Sequence, residues 1–120
     1  MQGDFSIESG AVAAERLLAA EDPPTAIFCF NDEMAMGVYQ TAKRHRLSVP
    51  DDLSVVGFDD IRFSCCIDPP LTVAQPMRAI GEGTVQLLLE ILNGRSSPPE
   101  SITLPHTLIV RSSTAPPRSG

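Results

Sequence analysis

The residues best suited to chemistry in this 120-residue chain are amides and acids that stand where short apolar runs end. Asn31 and Asp32 follow the first such run, Asp59 and Asp60 follow the second, and Gln75 follows the third. Side chains of these types offer hydrogen-bond donors and acceptors to hydroxyl groups, amides or the diol of a ribose. Their chemistry therefore favours the binding of a small polar molecule.

Each of these residues also has a purely structural interpretation. Asn31 or Asp32 can be a helix N-cap, which by itself accounts for the residue type. Asp59 with Asp60 can cap a loop, and Phe5 can be a core residue instead of a plate on which a ligand ring lies. A binding site is favoured by convergence, because ligands of open α/β sheets bind beyond the carboxyl ends of the strands, where these residues fall.

Catalytic constellations are missing from the sequence. His45 lies in a basic cluster at a predicted helix C-terminus, where positive charge is favourable, and His106 has no acid or thiol nearby in sequence. Neither a nucleophile elbow, a phosphate-binding glycine loop nor a pair of histidine metal ligands is present. We expect no enzyme activity, no cofactor and no metal site.

The three cysteines, Cys29, Cys65 and Cys66, are odd in number and lack a Cys-x-x-Cys spacing. This pattern indicates neither a disulfide framework nor a zinc site, and it is typical of reduced thiols in a cytosolic protein. The apolar runs are too short for a membrane span, and the first residues do not resemble a secretory signal. We expect a cytoplasmic protein without a membrane partner.

The charge balance argues against a surface that binds nucleic acid. Fifteen acidic residues against nine basic ones give a net charge of −6, whereas affinity for nucleic acid depends mainly on Lys and Arg. Any contact with DNA must therefore be made outside this chain. Aromatic residues make up 5% of the chain, so the core depends on aliphatic side chains.

The apolar pattern predicts alternating helices and strands. The first helix is capped by Ser6 or Ser9 and ends before Pro23, and Phe63 to Ile67 can form one helical turn. The other two helices are predicted at about 33–45 and 76–93. Strands are predicted at 26–30, 53–58, 71–74, 102–104 and 107–111. A frayed tail is predicted at 112–120. The continuous apolar run 26–30 is typical of a strand that is buried on both faces. The expected fold is α/β, with a doubly wound, mostly parallel sheet.

Five ordered blocks of sequence resemble the sensor domains of LacI/GalR transcription regulators. They are Gly3–Gly10, Ala26–Gly37, Val49–Asp60, Pro69–Thr72 with Gln75-Pro76, and Leu108–Thr114. Together they cover almost the whole chain.

The resemblance implies a periplasmic-binding-protein-like type I fold with two lobes around a cleft, of which this chain is a truncated C-terminal lobe. By analogy, residues 3–74 belong to that lobe, and residues 75–104 form a crossover and a helix that packs on the missing N-terminal lobe. Residues 105–114 return as a strand, and residues 115–120 form a disordered tail.

The resemblance also implies roles for individual residues. Asp59 matches an aspartate that holds an effector hydroxyl or ribose group, Asn31 a polar cleft position, and Phe5 an aromatic residue that stacks on the effector. Gln75 matches a crossover residue near the cleft. The spacing from Leu71 to Gln75 is one residue shorter than in the family, and in a strand such a shift reverses the face that a side chain takes.

In the family, residues that match Met36, Phe63, Cys66 and Ile67 pair two protomers, so a homodimer is expected. The expected function is that of a ligand-sensing fragment of a bacterial repressor. Its effector is a sugar or a nucleoside, with a preference for a nucleoside, and operator DNA is bound through a helix-turn-helix domain that this chain lacks. The alternative is a periplasmic sugar-binding protein of an uptake system.

Overall fold

The computed structural model describes residues 3–73, 77–94 and 101–117. Within these ranges the elements alternate in the order α1, β1, α2, β2 and α3. The helices are α1 (Ile7–Leu18), α2 (Asp32–Arg44) and α3 (Met77–Leu92), and the strands are β1 (Ala26–Phe28) and β2 (Ser54–Val56). The predicted α/β alternation is therefore confirmed.

The sheet is small and mostly parallel. β1 pairs with β2 in parallel, with Ile27 opposite Val55. Val56 forms a parallel bridge with Thr72, and the next residue, Val73, forms an antiparallel bridge with Ile109. The carboxyl ends of β1 and β2 consequently meet at one edge of the sheet.

The last predicted strands are shorter than expected or missing. Within the described range 101–117, no strand forms at residues 102–104. The predicted strand 107–111 is reduced to a single bridge at Ile109, and the predicted strand 71–74 to bridges at Thr72 and Val73. Residue 74 lies outside the described residues. The reason is pairing: an apolar run becomes a strand only where a neighbouring strand accepts its backbone hydrogen bonds, and Ile102 and Val110 remain exposed.

Helices α1 and α2 cross closely over one face of the sheet. The crossing depends on two glycines, because a Cβ atom at Gly10 would lie 2.3 Å from the Met34 carbonyl oxygen and one at Gly37 would lie 2.1 Å from the Ile7 carbonyl oxygen. The buried core lies between these helices and the sheet. It consists of Ala14, Ile27, Cys29, Ala35, Val38, Ala42, Leu53, Val55, Leu71 and Val73.

The prediction that the run 26–30 is buried on both faces is wrong. Ile27 and Cys29 are buried, but the alternate side chains Phe28 and Phe30 are 56% and 67% exposed. Side chains of a strand alternate between its two faces, and the described helices cover only the face that carries Ile27. The Phe28 ring instead contacts two other rings edge-on, those of Phe30 and Phe58, at centroid distances of 6.0 and 6.2 Å.

The prediction of a frayed tail from residue 112 is also wrong for its first part. Ser113 is fully buried; its hydroxyl donates to the Val55 carbonyl oxygen at 2.6 Å and accepts the Thr72 N–H at 2.7 Å. The Ala115 N–H donates to the Ser54 hydroxyl oxygen at 3.1 Å. These bonds fasten the chain to the sheet, and residues 118–120 lie outside the described residues.

Helix α3 stands apart from this core. It matches the predicted helix 76–93, yet none of its residues is buried. The radius of gyration is 17.8 Å, compared with about 14 Å for a compact chain of this length. No helix among the described residues is long and apolar enough to cross a bilayer.

Candidate functional site

Asn31 joins the end of β1 to the segment that precedes α1. Its side-chain oxygen accepts the Met34 N–H at 2.8 Å and caps α2, while its side-chain nitrogen donates to the Phe5 carbonyl oxygen at 2.8 Å. Phe5 has a φ of 67°, in the left-handed region that a residue with a Cβ atom rarely adopts. The residue is 60% exposed. The N-cap interpretation of Asn31 is therefore confirmed, and the residue also bonds the backbone of an exposed aromatic residue; its contact with a ligand stays a prediction.

Asp32 is fully buried and organises the loop that follows β2. One carboxylate oxygen accepts the N–H groups of Phe58 and Asp59 at 2.8 and 3.2 Å, and the other accepts the Ile61 N–H at 2.9 Å and the Ser64 hydroxyl. Hydrogen bonds to a charged acceptor are stronger than those between neutral groups. The backbone on either side of Asp59 is thereby held in place.

From its position in the sequence, Asp32 was expected to be either a ligand-binding residue or a helix cap, and its hydrogen bonds to the loop after β2 were not predicted. One signal was available, because Gly57 directly precedes the loop that Asp32 holds. A Cβ atom at Gly57 would lie 2.2 Å from the Asp32 carboxylate oxygen, so the carboxylate can approach this backbone only where glycine stands.

Asp59 and Asp60 are neighbours with different surroundings. The Asp60 carboxylate lies 2.8 Å from the Arg111 guanidinium, and Asp60 has a left-handed φ of 55°. The Asp59 carboxylate has no hydrogen-bond donor among the described residues. Burial raises the pKa of the Asp59 carboxyl above its ordinary value, and the negative charges of Asp32 and Glu33 raise it further. Of Asp59 and Asp60, Asp59 is thus the acid whose carboxylate is not paired within the described residues.

The structure brings three of the four predicted effector residues into one chain of contacts. Phe5 is held by Asn31, Asn31 is followed by Asp32, and Asp32 holds the Asp59 backbone. Gln75 lies outside the described residues. A separate cavity of about 300 Å³ between Phe58 and α3, lined mostly by apolar side chains with His106, includes none of these residues.

Of the residues predicted to pair two protomers, Met36 lies on α2, and Phe63, Cys66 and Ile67 lie in the turn that is bonded to this helix. The turn that carries Phe63 and Cys66 is exposed, and Ile67 packs partly against the core. Two hydrogen bonds hold this segment to α2, one from Ser64 to Asp32 and one from the Tyr39 hydroxyl to the Pro69 carbonyl oxygen at 2.8 Å. Met36 lies between Asp32 and Tyr39 on the same helical stripe. The pairing of protomers through these residues stays a prediction.

The two histidines take no part in this arrangement. The His45 ring nitrogen lies 2.8 Å from a Glu15 carboxylate oxygen, and Glu15 also lies 3.7 Å from the Arg44 guanidinium. This contact joins the C-terminus of α2 to α1, which accounts for the basic cluster structurally. In the described part of the chain, no group of three or more His, Cys, Asp or Glu side chains could hold a metal ion.

An amide, a carboxylate without a donor among the described residues and an exposed ring lie at the carboxyl edge of a parallel sheet, which is where open α/β sheets bind their ligands. The profile of the periplasmic binding protein-like domain matches residues 1–114. The chain belongs to that family, in the form found in LacI/GalR regulators, which confirms the resemblance.

Individual relatives agree with this assignment. The chain is 45% identical to the HTH-type transcriptional repressor CytR of Escherichia coli K12, over 94% of this chain and 33% of the repressor. A LacI family regulator from Enterococcus faecium, solved with bound ribose, superposes with a TM-score of 0.87 at 32% identity, over 97% of this chain and 43% of that one. The dimeric Lac repressor also gives a TM-score of 0.87, at 36% identity over the same shares. The chain spans about a third of the curated relative's length.

Proposed function

We propose that this chain is the effector-sensing part of a bacterial LacI/GalR transcription regulator and forms one wall of its effector cleft. The observation that carries the proposal is the Asp59 carboxylate, which is held through its backbone by buried Asp32 and has no donor among the described residues. A carboxylate in this state accepts hydrogen bonds from vicinal hydroxyl groups. The effector is therefore a polyhydroxylated compound, either a sugar or a nucleoside, and the ribose-bound relative supports this class.

The other residues divide the work of recognition. The Phe5 ring offers an apolar surface to a sugar face or a base. The Asn31 side-chain oxygen and one of its N–H groups already form hydrogen bonds within the protein. Its main role is therefore to hold Phe5, and its second N–H remains available to a ligand. Gln75 completes the polar set from the crossover.

In the intact protein, residues 3–74 and 105–114 belong to a C-terminal lobe with a doubly wound, mostly parallel sheet. Residues 75–104 cross to the other lobe, where the exposed face of α3 is covered. Two protomers pair through Met36, Phe63, Cys66 and Ile67, and the dimeric Lac repressor supports this arrangement. Effector binding biases two arrangements of the lobes and so changes DNA binding by a separate domain. The net charge of −6 supports the assignment of DNA binding to a separate domain.

The test is effector affinity in the complete regulator that contains this chain. Isothermal titration with ribose and with cytidine is expected to show that Asp59→Ala weakens binding by tens of fold. Each hydrogen bond to a charged group contributes about 1.5–3 kcal/mol, and about 1.4 kcal/mol is tenfold. Asp51→Ala, at an exposed acid away from the site, is the matched control. Unchanged affinity in Asp59→Ala would remove this residue from the site and with it the proposal.

The same titration separates the two effector classes. If the effector is a nucleoside whose base stacks on Phe5, Phe5→Leu weakens cytidine binding by about tenfold while ribose binding changes less, because aromatic stacking contributes about 1–3 kcal/mol per base. Equal losses for both compounds would indicate that the ring contacts the sugar.

A further inference from the structure

Arg111 joins the loop that carries Asp59 to two other segments of the chain. One guanidinium nitrogen donates to an Asp60 carboxylate oxygen at 2.8 Å, and another donates to the Leu71 carbonyl oxygen at 2.9 Å. The backbone N–H of Arg111 donates to the Thr72 hydroxyl oxygen at 3.1 Å. A single residue therefore connects three segments that are distant in sequence.

The ion pair between Arg111 and Asp60 is shielded from solvent. Its two side chains are 21% and 29% exposed, whereas those of the Arg78–Glu82 pair on α3 are 93% and 65% exposed. Exposed ion pairs contribute little because water and salt screen them, and a partly buried pair is screened much less. Of these two pairs, the Arg111–Asp60 pair is the one able to hold a loop in place.

The backbone of Asp60 shows what this pair holds. Asp60 has a φ of 55°, in the left-handed region where a Cβ atom crowds the backbone. Asp32 bonds the N–H groups of the residues before and after it, Asp59 and Ile61, and Arg111 bonds its side chain. Because Asp59 and Asp60 share a peptide unit, a change in the Asp60 backbone would redirect the Asp59 carboxylate.

The segments that Arg111 contacts lie on either side of the stretch that contains α3. Val73 and Ile109 exchange two backbone hydrogen bonds, at 3.1 and 2.7 Å, and α3 lies between them in the chain. In the proposed function, this intervening stretch crosses to the other lobe. Arg111 therefore ties the loop of Asp59 to the place where the chain leaves and re-enters its lobe.

We propose that Arg111 is a positioning residue for effector recognition, which holds Asp60 and thereby the direction of the Asp59 carboxylate. The inference rests on the proposed function, because it requires Asp59 to bind the effector. Arg111 acts without contacting the effector, since its guanidinium bonds are made within the protein. Sequence spacing gave no indication of the pair, because 51 positions separate its two members.

The experiment is a double-mutant cycle of Arg111→Met and Asp60→Asn in the complete regulator, with cytidine and ribose affinities measured by isothermal titration. Asn tolerates the left-handed region but removes the charge. Each single variant is expected to weaken binding by about tenfold. The double variant is expected to bind within about twofold of either single variant, because Arg111 acts through Asp60.

Ser113→Ala is the matched control, because it removes two hydrogen bonds from the same junction and leaves Asp60 and Arg111 in place. It should lower the urea midpoint without changing effector affinity, and a merely structural Arg111 would behave in the same way. Far-ultraviolet circular dichroism checks folding. If Arg111→Met does not fold, the cycle is measured with Arg111→Lys, which keeps the charge but loses the planar fork that reaches two acceptors together.

Two results overturn the inference while the proposed function stands. In the first, Asp59→Ala weakens binding but the Arg111 variant binds as tightly as the unmodified regulator. In the second, the losses of the two single variants multiply in the double variant, which shows that Arg111 does not act through Asp60. If the unmodified regulator binds neither compound, or if Asp59→Ala leaves affinity unchanged, the proposed function and this inference fail together.

Discussion

Asp32, Asp59 and Asp60 are the same residue type, but their surroundings give them three different roles. Asp32 is buried under four hydrogen-bond donors, Asp60 is paired with Arg111, and Asp59 retains a carboxylate without a donor among the described residues. The first two acids determine where the third one lies. Asp32 therefore positions the backbone that carries Asp59.

Removing the Asp32 carboxylate should lower the free energy of unfolding substantially. In Asp32→Ala, the half-buried N–H groups of Phe58, Asp59 and Ile61 and the buried Ser64 hydroxyl lose their acceptor, and a buried donor left unsatisfied costs about 1–3 kcal/mol. We expect a loss of about 3 kcal/mol or more in urea denaturation. The exposed control Asp51→Ala should stay within about 0.5 kcal/mol of the unmodified chain. Equal urea midpoints for the two variants would contradict the role assigned to Asp32.

Asp59 should reduce stability at neutral pH, because its pKa is raised in the folded state by burial and by the charges of Asp32 and Glu33. An acid with a raised folded-state pKa binds more protons when folded. Stability is therefore lost as pH rises from the unfolded pKa through the folded pKa. We expect Asp59→Asn to be more stable than the unmodified chain at pH 7.

The gain should vanish well below the ordinary Asp pKa of about 3.9, where both states bind the proton. Thermal unfolding of the two chains across this pH range measures the difference. If Asp59→Asn stabilises the chain equally at all pH values, the raised pKa of Asp59 is not the cause of the gain.

At the scale of the elements, helices were predicted better than strands because helix signals are local. Ser6 and Asn31 cap α1 and α2 through bonds to backbone three residues away, so the sequence nearby contains the information. The Asp32 hydrogen bonds instead reach 26 to 32 residues along the chain, and no local pattern encodes them. Phe28 illustrates the same limit, since its exposure depends on what covers the sheet.

Ser113 joins Thr72 to Val55, and it lies in a segment that the sequence predicted to be frayed. Ser113→Ala removes the bond to the Val55 carbonyl oxygen and the acceptor of the Thr72 N–H. We expect a loss of about 1–3 kcal/mol in urea denaturation. The neighbouring exposed residue provides the control, Ser112→Ala, which should be nearly neutral. A neutral Ser113→Ala would show that the end of the chain adds little to the sheet.

At the scale of the molecule, the described residues leave two apolar surfaces open. One is the sheet face that carries Phe28 and Phe30, and the other is α3, where Val85, Leu88 and Leu92 are 56%, 53% and 72% exposed. A wound α/β sheet is covered on both faces, and a helix with an apolar stripe is stable when that stripe is packed. Both surfaces fit a chain that spans about a third of its curated relative's length.

This chain should therefore associate with itself as its concentration rises, through the open stripe of α3. Met77, Gly81, Val85, Leu88 and Leu92 lie along one side of the helix at helical spacing, and Glu82 and Gln86 occupy another side. We expect sedimentation velocity to show a sedimentation coefficient that increases with concentration. The double variant Leu88→Gln with Leu92→Gln should reduce this increase, because burial of each leucine contributes about 1.5–3 kcal/mol. Gln86→Ala, on the polar side, should leave the concentration dependence unchanged.

If the double variant associates as strongly as the unmodified chain while Phe28→Ser abolishes association, then the sheet face and not α3 is the self-associating surface.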